Sequence, residues 1–318
     1  MSSTFGSFNT VRLGIYAAQK GLDVTGNNIT NINTAGYTRQ RLDQVSLITS
    51  ASDRYYSPYK TRVGQGVLTT GVSQLRDPGL DIAYRNASAD VGAADAKLAG
   101  LEKLASILDE VGKGDGEQDD GVLLNQLNDL RDLINKAITS GLDSTQEGLI
   151  RASAKALCSL FNDAADKLAD MTETWETQLK DQVDTVNNIL TSLRDLNISI
   201  RDADIRGDAA LELRDQRNLL LDQLSQYMDI DVKYEMEDVG AGLMVEKMTV
   251  TLGTGGKDKL VDGGFSAKLL AGSAKDGCPV SLYALRDKTG RSRSPTPPIR
   301  RSWMITTCTA HSSPPVKC

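Results

Sequence analysis

Two glycine-containing segments hold the residue types that could bind a metal ion or a phosphate. The first is an acidic run whose carboxylates could attract calcium: Asp115, Glu117, Asp119 and Asp120. The run does not fit the spacing of an EF-hand loop, which also needs a closing glutamate. In the second segment, Gly64, Gly66 and Gly71 lack the GxGxxG spacing of a phosphate-binding loop and its strand-to-helix context. We therefore predict solvated loops and turns in both places.

Nucleophilic catalysis is not expected either. The only histidine, His311, has no nearby acid or nucleophile and lies in a proline-rich tail, so it does not indicate a catalytic triad. Three of the four cysteines also lie in that tail, at Cys278, Cys308 and Cys318, and no disulfide framework is readable. Cys158 falls within a helical pattern, which favours a buried, inert thiol. The sequence thus predicts a protein that is not an enzyme, with no catalytic residue, no metal site and no cofactor.

The elements around these residues point to assembly instead. An apolar stripe near the N-terminus has alternating steps of three and four residues, typical of a helix that presents one narrow face to another helix. Its members, called the N-terminal stripe below, are Phe8, Val11, Ile15, Ala18, Leu22, Thr25, Ile29 and Ile32. A lone helix of this kind is marginal in water, so the stripe implies a partner.

A polar segment, residues 26–40, follows the N-terminal stripe. Asparagines favour helix caps, turns and side-chain contacts over helix interiors. The segment contains four of them within seven positions: Asn27, Asn28, Asn31 and Asn33. The residues alone leave open whether these asparagines are caps or contacts. Gly36 is expected to end the first helix in a left-handed conformation.

Further along the chain, heptad spacing predicts long helices over 79–111, from 123, over 144–206 and over 211–230. Short alternating patches predict hairpins within 41–76 and strands from 230 onward. The fold class is therefore mainly α with β hairpins: an elongated, multi-domain rod of coiled-coil-like helices with the start of a β-rich domain. We divide it into an N-terminal assembly helix (1–40), a helical rod domain (41–229), an incomplete β-rich domain (230–265) and a disordered tail (266–318).

The composition changes near residue 266. The whole chain carries a net charge of −6, yet the segment from Ser266 onward is basic and holds six of the eight prolines. Its arginines could contact phosphates of a nucleic acid. A shifted reading frame accounts for the new residue usage, the prolines and the lost periodicity together, so we favour that explanation and expect no nucleic-acid partner. No long apolar run or basic-then-apolar leader occurs, so neither membrane insertion nor a cleaved secretion signal is expected.

The string LDVTGNNITNINTAGYTRQ at 22–40 resembles the signature of the bacterial flagellar axial proteins, which include rod, hook and hook-associated proteins. Three further strings resemble the hook-associated protein 1 family: RVGQGVLTTGV at 62–72, DPGLDIAYRNASADVGAADAKLAGLEKL at 77–104 and LRDQRNLLLDQLSQYMDI at 213–230. The resemblance covers roughly residues 1–265.

This resemblance implies a structural adapter between flagellar hook and filament, exported without cleavage through the flagellar export apparatus and located outside the cell. The implied partners are other copies of the chain, hook protein and further hook-associated proteins. In this family the first helix packs in an inner tube, so the implied assembly interface comprises Phe8, Val11, Ile15, Ala18, Leu22, Asn27, Asn28, Ile29, Asn31, Ile32, Asn33, Gly36 and Tyr37.

Two alternatives stay open: another axial component of the hook or rod, and a free coiled-coil binding protein. Family members complete the β-domain and end in a heptad-bearing helix, which the tail at 266–318 does not resemble. We therefore expect a truncated product that is defective in assembly.

Overall fold

The computed structural model describes residues 4–47, 66–108, 121–141, 143–240, 242–253, 258–272 and 280–286. The helices are α1 (Thr4–Thr30), α2 (Pro78–Leu108), α3 (Val122–Ser140), α4 (Ser144–Ile205) and α5 (Leu211–Ser225). The strands are β1 (Gln40–Ser46), β2 (Val67–Gln74), β3 (Ile230–Asp238), β4 (Met244–Leu252), β5 (Lys259–Asp262), β6 (Phe265–Ala271) and β7 (Val280–Arg286). The predicted fold class, mainly α with antiparallel β-structure, is confirmed. The acidic run at 115–120, Gly64, Cys278, Cys308, His311 and Cys318 lie outside the described residues.

The N-terminal unit consists of α1 and the hairpin formed by β1 and β2. The two strands are antiparallel, with Gln40 opposite Gln74 and Ser46 opposite Val67, and a bulge lies between Asp43 and Gln44. Gly36 has the predicted left-handed conformation, with φ of +78°. However, α1 ends at Thr30, so Gly36 lies in the turn that leads into β1 and does not cap the helix.

The longest element is α4, whose 62 residues span about 90 Å at 1.5 Å per residue. Its N-cap is Asp143, because the carboxylate of that residue accepts a hydrogen bond from the Ser144 amide at 2.7 Å. Residues 144–182, called the outer half, contain two buried residues, Ser153 and Met171. Residues 183–205, called the inner half, bury one residue on almost every turn, which makes them part of a core.

That core lies between the inner half of α4, α5 and a five-stranded sheet. The sheet is antiparallel throughout, in the order β3-β4-β5-β6-β7. The fully buried apolar side chains of the core include Leu190, Leu193, Leu221, Leu224, Val250, Leu260 and Val261. Each such side chain stabilises the folded state by about 1.5–3 kcal/mol through burial. The inner half of α4, the helix α5 and the five-stranded sheet are together called the core body.

The sheet continues past the predicted end of the β-region at residue 265. Ala267 and Leu269 of β6 are buried in the core, and β7 pairs with β6 along its length. The prediction of a disordered tail from residue 266 is therefore wrong for residues 266–272 and 280–286. In β6, buried Ala267 and Leu269 lie on either side of exposed Lys268, and such alternation lets a short strand bury one face.

Two other features complete the fold. Cys158 is exposed, so the prediction of a buried thiol is wrong. The reason is that the outer half of α4 is covered along only part of its circumference. Within the described ranges, no helix is apolar enough over a sufficient length to cross a lipid bilayer.

Candidate assembly surface

The N-terminal stripe is open to solvent along its whole length. Its six large apolar side chains are between 57% and 78% exposed: Phe8, Val11, Ile15, Leu22, Ile29 and Ile32. Ala18 and Thr25, between them, are exposed as well. Soluble monomers rarely expose contiguous apolar patches of this kind, and those they expose usually mark sites of interaction. The stripe therefore has the properties of a docking surface.

The opposite face of α1 packs against the hairpin. Ala17 is buried there, and Leu13 and Val24 are partly buried on the same side. At Gly66, just before β2, a Cβ atom would lie 3.3 Å from the Thr10 methyl group, so helix and hairpin approach closely. Because the hairpin covers this face, the exposure of the stripe does not result from an undocked helix.

Asn28 joins the end of α1 to the start of β1. Its side-chain amide donates to the Gln40 carbonyl oxygen at 2.9 Å, and its Oδ1 accepts from the Gln40 amide at 2.9 Å. The same Oδ1 accepts from the Tyr37 hydroxyl at 2.9 Å. One side chain thus fixes three groups of the turn, and both acceptor positions of Asn28 Oδ1 are occupied.

The remaining asparagines extend this network. Asn31 donates to the Asn27 carbonyl oxygen at 3.0 Å and to the Asn27 side-chain oxygen at 2.8 Å. Thr34 donates to Asn31 Oδ1 at 3.1 Å, and Asn33 is exposed within the turn. Of the two interpretations left open by the sequence, contacts describe Asn27, Asn28 and Asn31 best. These contacts are within the chain.

The turn at 36–40 also rests on α5. At Gly36, a Cβ atom would lie 3.1 Å from Leu219 Cβ. The Thr38 amide donates to Asp215 Oδ2 at 3.0 Å, and Asp215 is buried. Burial raises the pKa of the Tyr37 hydroxyl, and the nearby carboxylates of Asp215 and Glu212 raise it further. The predicted site residues Gly36 and Tyr37 therefore lie against the core body.

An ion-pair cluster lies a little further along α5. Arg76 donates to Asp81 Oδ2 at 2.6 Å and to Thr38 Oγ1 at 3.3 Å, and it lies 3.7 Å from Asp222 Oδ2. Arg85 of α2, which is buried, donates to Asp222 Oδ1 at 2.8 Å. Asp222 thereby holds the end of β2 and the first turns of α2 on the same helix.

The other side of α5 is basic and faces α4 and β4. Arg214 pairs with Asp204 of α4 and with Glu246 of β4, and Arg217 also pairs with Glu246. The Arg217 guanidinium lies 5.0 Å from the centre of the Tyr234 ring. Burial opposes ionisation of Glu246, but the two arginines outweigh it and hold the pKa of this carboxyl below its ordinary value.

Asp215, Asp222, Arg76 and Arg85 are not among the predicted site residues. For the two aspartates, the sequence offers the charge pattern in LELRDQRNLLLD, where acids recur at helical spacing beside a leucine-rich face. Surface helices often carry such charges, so the pattern alone predicts a solvated face. The contacts of the two aspartates with Thr38, Arg76 and Arg85 join positions more than 100 residues apart, beyond the reach of local periodicity.

The described part of the chain offers little for small-molecule chemistry. It contains no group of three or more His, Cys, Asp or Glu side chains that could hold a metal ion. A cleft between α4 and β4, lined by Asn197, Arg201 and Lys247 among others, encloses about 40 Å³. Ligand pockets usually enclose several hundred Å³, so this space is suited to water at most.

Comparison with known proteins identifies the family of the chain. The model of the flagella basal body rod protein family matches residues 9–38, a segment that holds most of the N-terminal stripe and the asparagines of the network. This segment is therefore similar to one found in flagellar axial proteins. The model of the flagellar hook-associated protein FlgK helical domain matches residues 116–297, more than half of the chain. The chain belongs to the FlgK family of flagellar hook-associated proteins.

Individual relatives agree with this assignment. The chain is 31% identical over 240 residues to flagellar hook-associated protein 1 of Bacillus subtilis strain 168, covering 74% of this chain and 45% of the relative. It is 23% identical over 229 residues to the Escherichia coli K12 protein of that name, covering 71% of this chain and 39% of the relative. The chain thus spans less than half the length of these curated relatives.

The chain is also similar to a solved structure, the flagellar hook junction protein FlgK from Burkholderia pseudomallei. The identity is 18%, the TM-score is 0.47, and the match covers 68% of this chain and 35% of that one. A similarity at this level carries no weight beyond the sequence relationship.

Proposed function

We propose that this chain is a structural subunit of the bacterial flagellum that joins the hook to the filament, without catalysis. The proposal is supported by one observation above all: the exposed N-terminal stripe on a helix whose other face is already packed. Burying a large apolar side chain stabilises an assembly by about 1.5–3 kcal/mol, and the stripe offers six of them. Membership of a hook-associated family supports a flagellar context for this surface.

The proposed partners follow from that context. The N-terminal stripe binds neighbouring copies of the chain, and the assembled subunits contact hook protein and further hook-associated proteins. The chain reaches this location outside the cell through the flagellar export apparatus, without cleavage of a signal peptide. Nucleic acid and membrane insertion have no part in the proposal.

Two serine substitutions test the N-terminal stripe, made at the native locus with any shifted frame restored, because the tail at 266–318 is itself expected to prevent assembly. Ile15→Ser combined with Leu22→Ser makes the exposed face polar while leaving the face against the hairpin intact. We expect cells that carry hooks but few or no filaments and that do not swim, as seen by electron microscopy and motility assays.

The matched control is Leu149→Ser, which alters a comparably exposed leucine on the outer half of α4. We expect it to keep its filaments. Wild-type filament numbers in the double variant, at normal export levels, would contradict the proposal.

A free coiled-coil binding protein would expose a similar stripe, so location separates the two functions. We expect the chain to co-purify with hook basal bodies; a soluble pool with no flagellar association would favour the free binding protein. Another axial component would also co-purify. The deletion phenotype separates the two. Deleting a junction protein leaves intact hooks without filaments, whereas deleting another axial component gives a different phenotype.

The shifted frame and the assembly defect expected for the tail stay predictions. Sequencing the locus tests the first, and a single verified open frame would remove it. Complementation of a deletion strain with this chain tests the second, and restored swimming would contradict it. The family match through residue 297 and strands β6 and β7 support a later position for any frame change than the one expected near residue 266.

A further inference from the structure

The charges of α5 are sorted by side. Its acidic residues interact with the N-terminal unit and α2: Glu212 with Gln40, Asp215 with Thr38, and Asp222 with Arg76 and Arg85. Its arginines interact with the other elements of the core body: Arg214 with Asp204 of α4 and Glu246 of β4, and Arg217 with Glu246. Within the core body, this short helix is therefore the element that contacts the N-terminal unit, and its two sides have different chemistry.

The acidic side makes directional contacts. Asp215 is 5% exposed and receives a main-chain amide, so its hydrogen bond fixes the backbone of residue 38 itself. Gln74, at the end of β2, donates to the Leu211 carbonyl oxygen at 2.9 Å. Both ends of the hairpin are thus bound to the first turns of α5. Partly buried, charge-assisted hydrogen bonds are stronger and more geometrically specific than exposed ones.

Arg76 closes this set of contacts into a network. Its guanidinium contacts Thr38 on one side and lies near Asp222 on the other, while Asp222 also accepts from buried Arg85. Residues 38 and 76, which flank the hairpin formed by β1 and β2, are therefore linked to each other and to α5. A hinge between the N-terminal unit and the core body would have to break several of these bonds together.

We propose that the acidic side of α5 is a latch that sets the angle between the N-terminal unit and the core body, with Asp215 and Asp222 as its positioning residues. The latch determines the direction in which the N-terminal stripe faces. The proposal concerns the geometry of a single chain, so it holds whether or not the N-terminal stripe assembles into a flagellum.

Distances between two spin labels test the latch. The labels are placed at exposed Gln19 of α1 and exposed Thr191 of α4, in the full chain with all four cysteines replaced by serine. We expect one narrow distance peak for this parent. Asp215→Ala removes the acceptor for the Thr38 amide, and we expect the single peak to be lost. Asp215→Asn keeps an acceptor oxygen, and we expect it to restore the peak.

Hydrogen exchange adds a local readout. In Asp215→Ala, the Thr38 amide should exchange about tenfold faster, since a hydrogen bond to a charged group contributes more than the 1.4 kcal/mol that corresponds to tenfold. Amides of the inner half of α4 should keep their protection. If the substitution only destabilised the whole protein, hydrogen exchange would become faster both at the Thr38 amide and in the inner half of α4.

Two variants complete the design. Asp202→Ala removes an exposed carboxylate on α4 and should leave the peak unchanged. Arg76→Gln removes the guanidinium of the partly exposed residue in the network. If Asp215→Ala loses its helical circular dichroism and is therefore unfolded, the distance distribution of Arg76→Gln tests the latch in its place. A narrow parental peak in both Arg76→Gln and a folded Asp215→Ala would overturn the proposal.

Discussion

The two halves of α4 share one helix and one heptad pattern but have different surroundings. The inner half is covered by α5 and three strands of the sheet, and it buries Val183, Val186, Ile189, Leu190, Leu193, Asn197, Ile200 and Ala203. The outer half buries only Ser153 and Met171, and exposes Leu149 and Phe161. Its contacts include a hydrogen bond from Gln126 of α3 to Ser153 and the approach of Gly100 in α2 to Trp175.

This difference shows what a heptad pattern can and cannot indicate. The pattern predicts that a helix has an apolar face, and both halves have one. Whether that face is buried depends on elements distant in sequence. In this chain those elements are α5 and the sheet, which reach only the last third of α4. The inner half therefore supports stability, whereas the outer half and the N-terminal stripe leave apolar surface available.

Truncation of a leucine in each half gives the largest expected contrast. Leu193→Ala removes a side chain that is completely buried, and we expect the free energy of unfolding to fall by about 2–5 kcal/mol because a cavity remains. Leu149→Ala removes a half-exposed leucine and should cost less than about 1 kcal/mol. Urea denaturation followed by circular dichroism measures both. Equal losses would show that the outer half is as tightly packed as the inner one.

Two glycines of α2 give a second, smaller contrast. At Gly92, a Cβ atom would lie 2.2 Å from the Gln226 carbonyl oxygen at the end of α5, so Gly92→Ala must displace backbone and should destabilise by about 1–3 kcal/mol. At Gly100, the nearest atom would be on Trp175 at 3.7 Å. There alanine fits, and its higher helix propensity should stabilise by about 0.5–1 kcal/mol. Thermal unfolding compares the two; a Gly92→Ala protein as stable as Gly100→Ala would refute the close approach of α2 and α5.

The smallest contrast is expected on acidification. The pKa of Glu246 is lowered in the folded chain, where Arg217 and Arg214 outweigh the effect of burial. Its contribution to stability is therefore complete above the unfolded pKa of about 4.3 and is lost as the pH falls through the lower folded pKa. We expect Glu246→Gln to flatten the fall in unfolding free energy below about pH 5.

The matched control for this pH dependence is Glu173→Gln, on the exposed surface of the outer half. It should leave the pH dependence as it is in the parent. An identical acid profile for Glu246→Gln and the parent would mean that the paired carboxylate contributes nothing in this range.

Much of the helical framework can be predicted from the sequence. The predicted helix at 144–206 corresponds to α4 at 144–205, and the one at 79–111 corresponds to α2 at 78–108. The start of α2 is readable because proline is favoured at the first position of a helix, and the end of α4 is readable because Gly207 follows a long, regular period. β6 and β7 are missed because their strands are short and the change in composition near residue 266 conceals their alternation.

The surroundings of the predicted site are less accessible to sequence reasoning. The exposed N-terminal stripe can be proposed from spacing alone, since its period is local. The packing of Gly36 on Leu219 and the bond from Thr38 to Asp215 cannot, because they join positions almost two hundred residues apart. Likewise, the helical period places Cys158 in α4 but gives no information about which side of the outer half is covered.

The two bonds between Asn28 and Gln40 reproduce what a neighbouring strand would offer. The Gln40 amide and carbonyl point away from β2, at the open edge of a two-stranded sheet, where another chain could begin to pair. The asparagine side chain occupies both groups. The hairpin therefore starts with its edge closed against strand addition at Gln40, the first residue of β1.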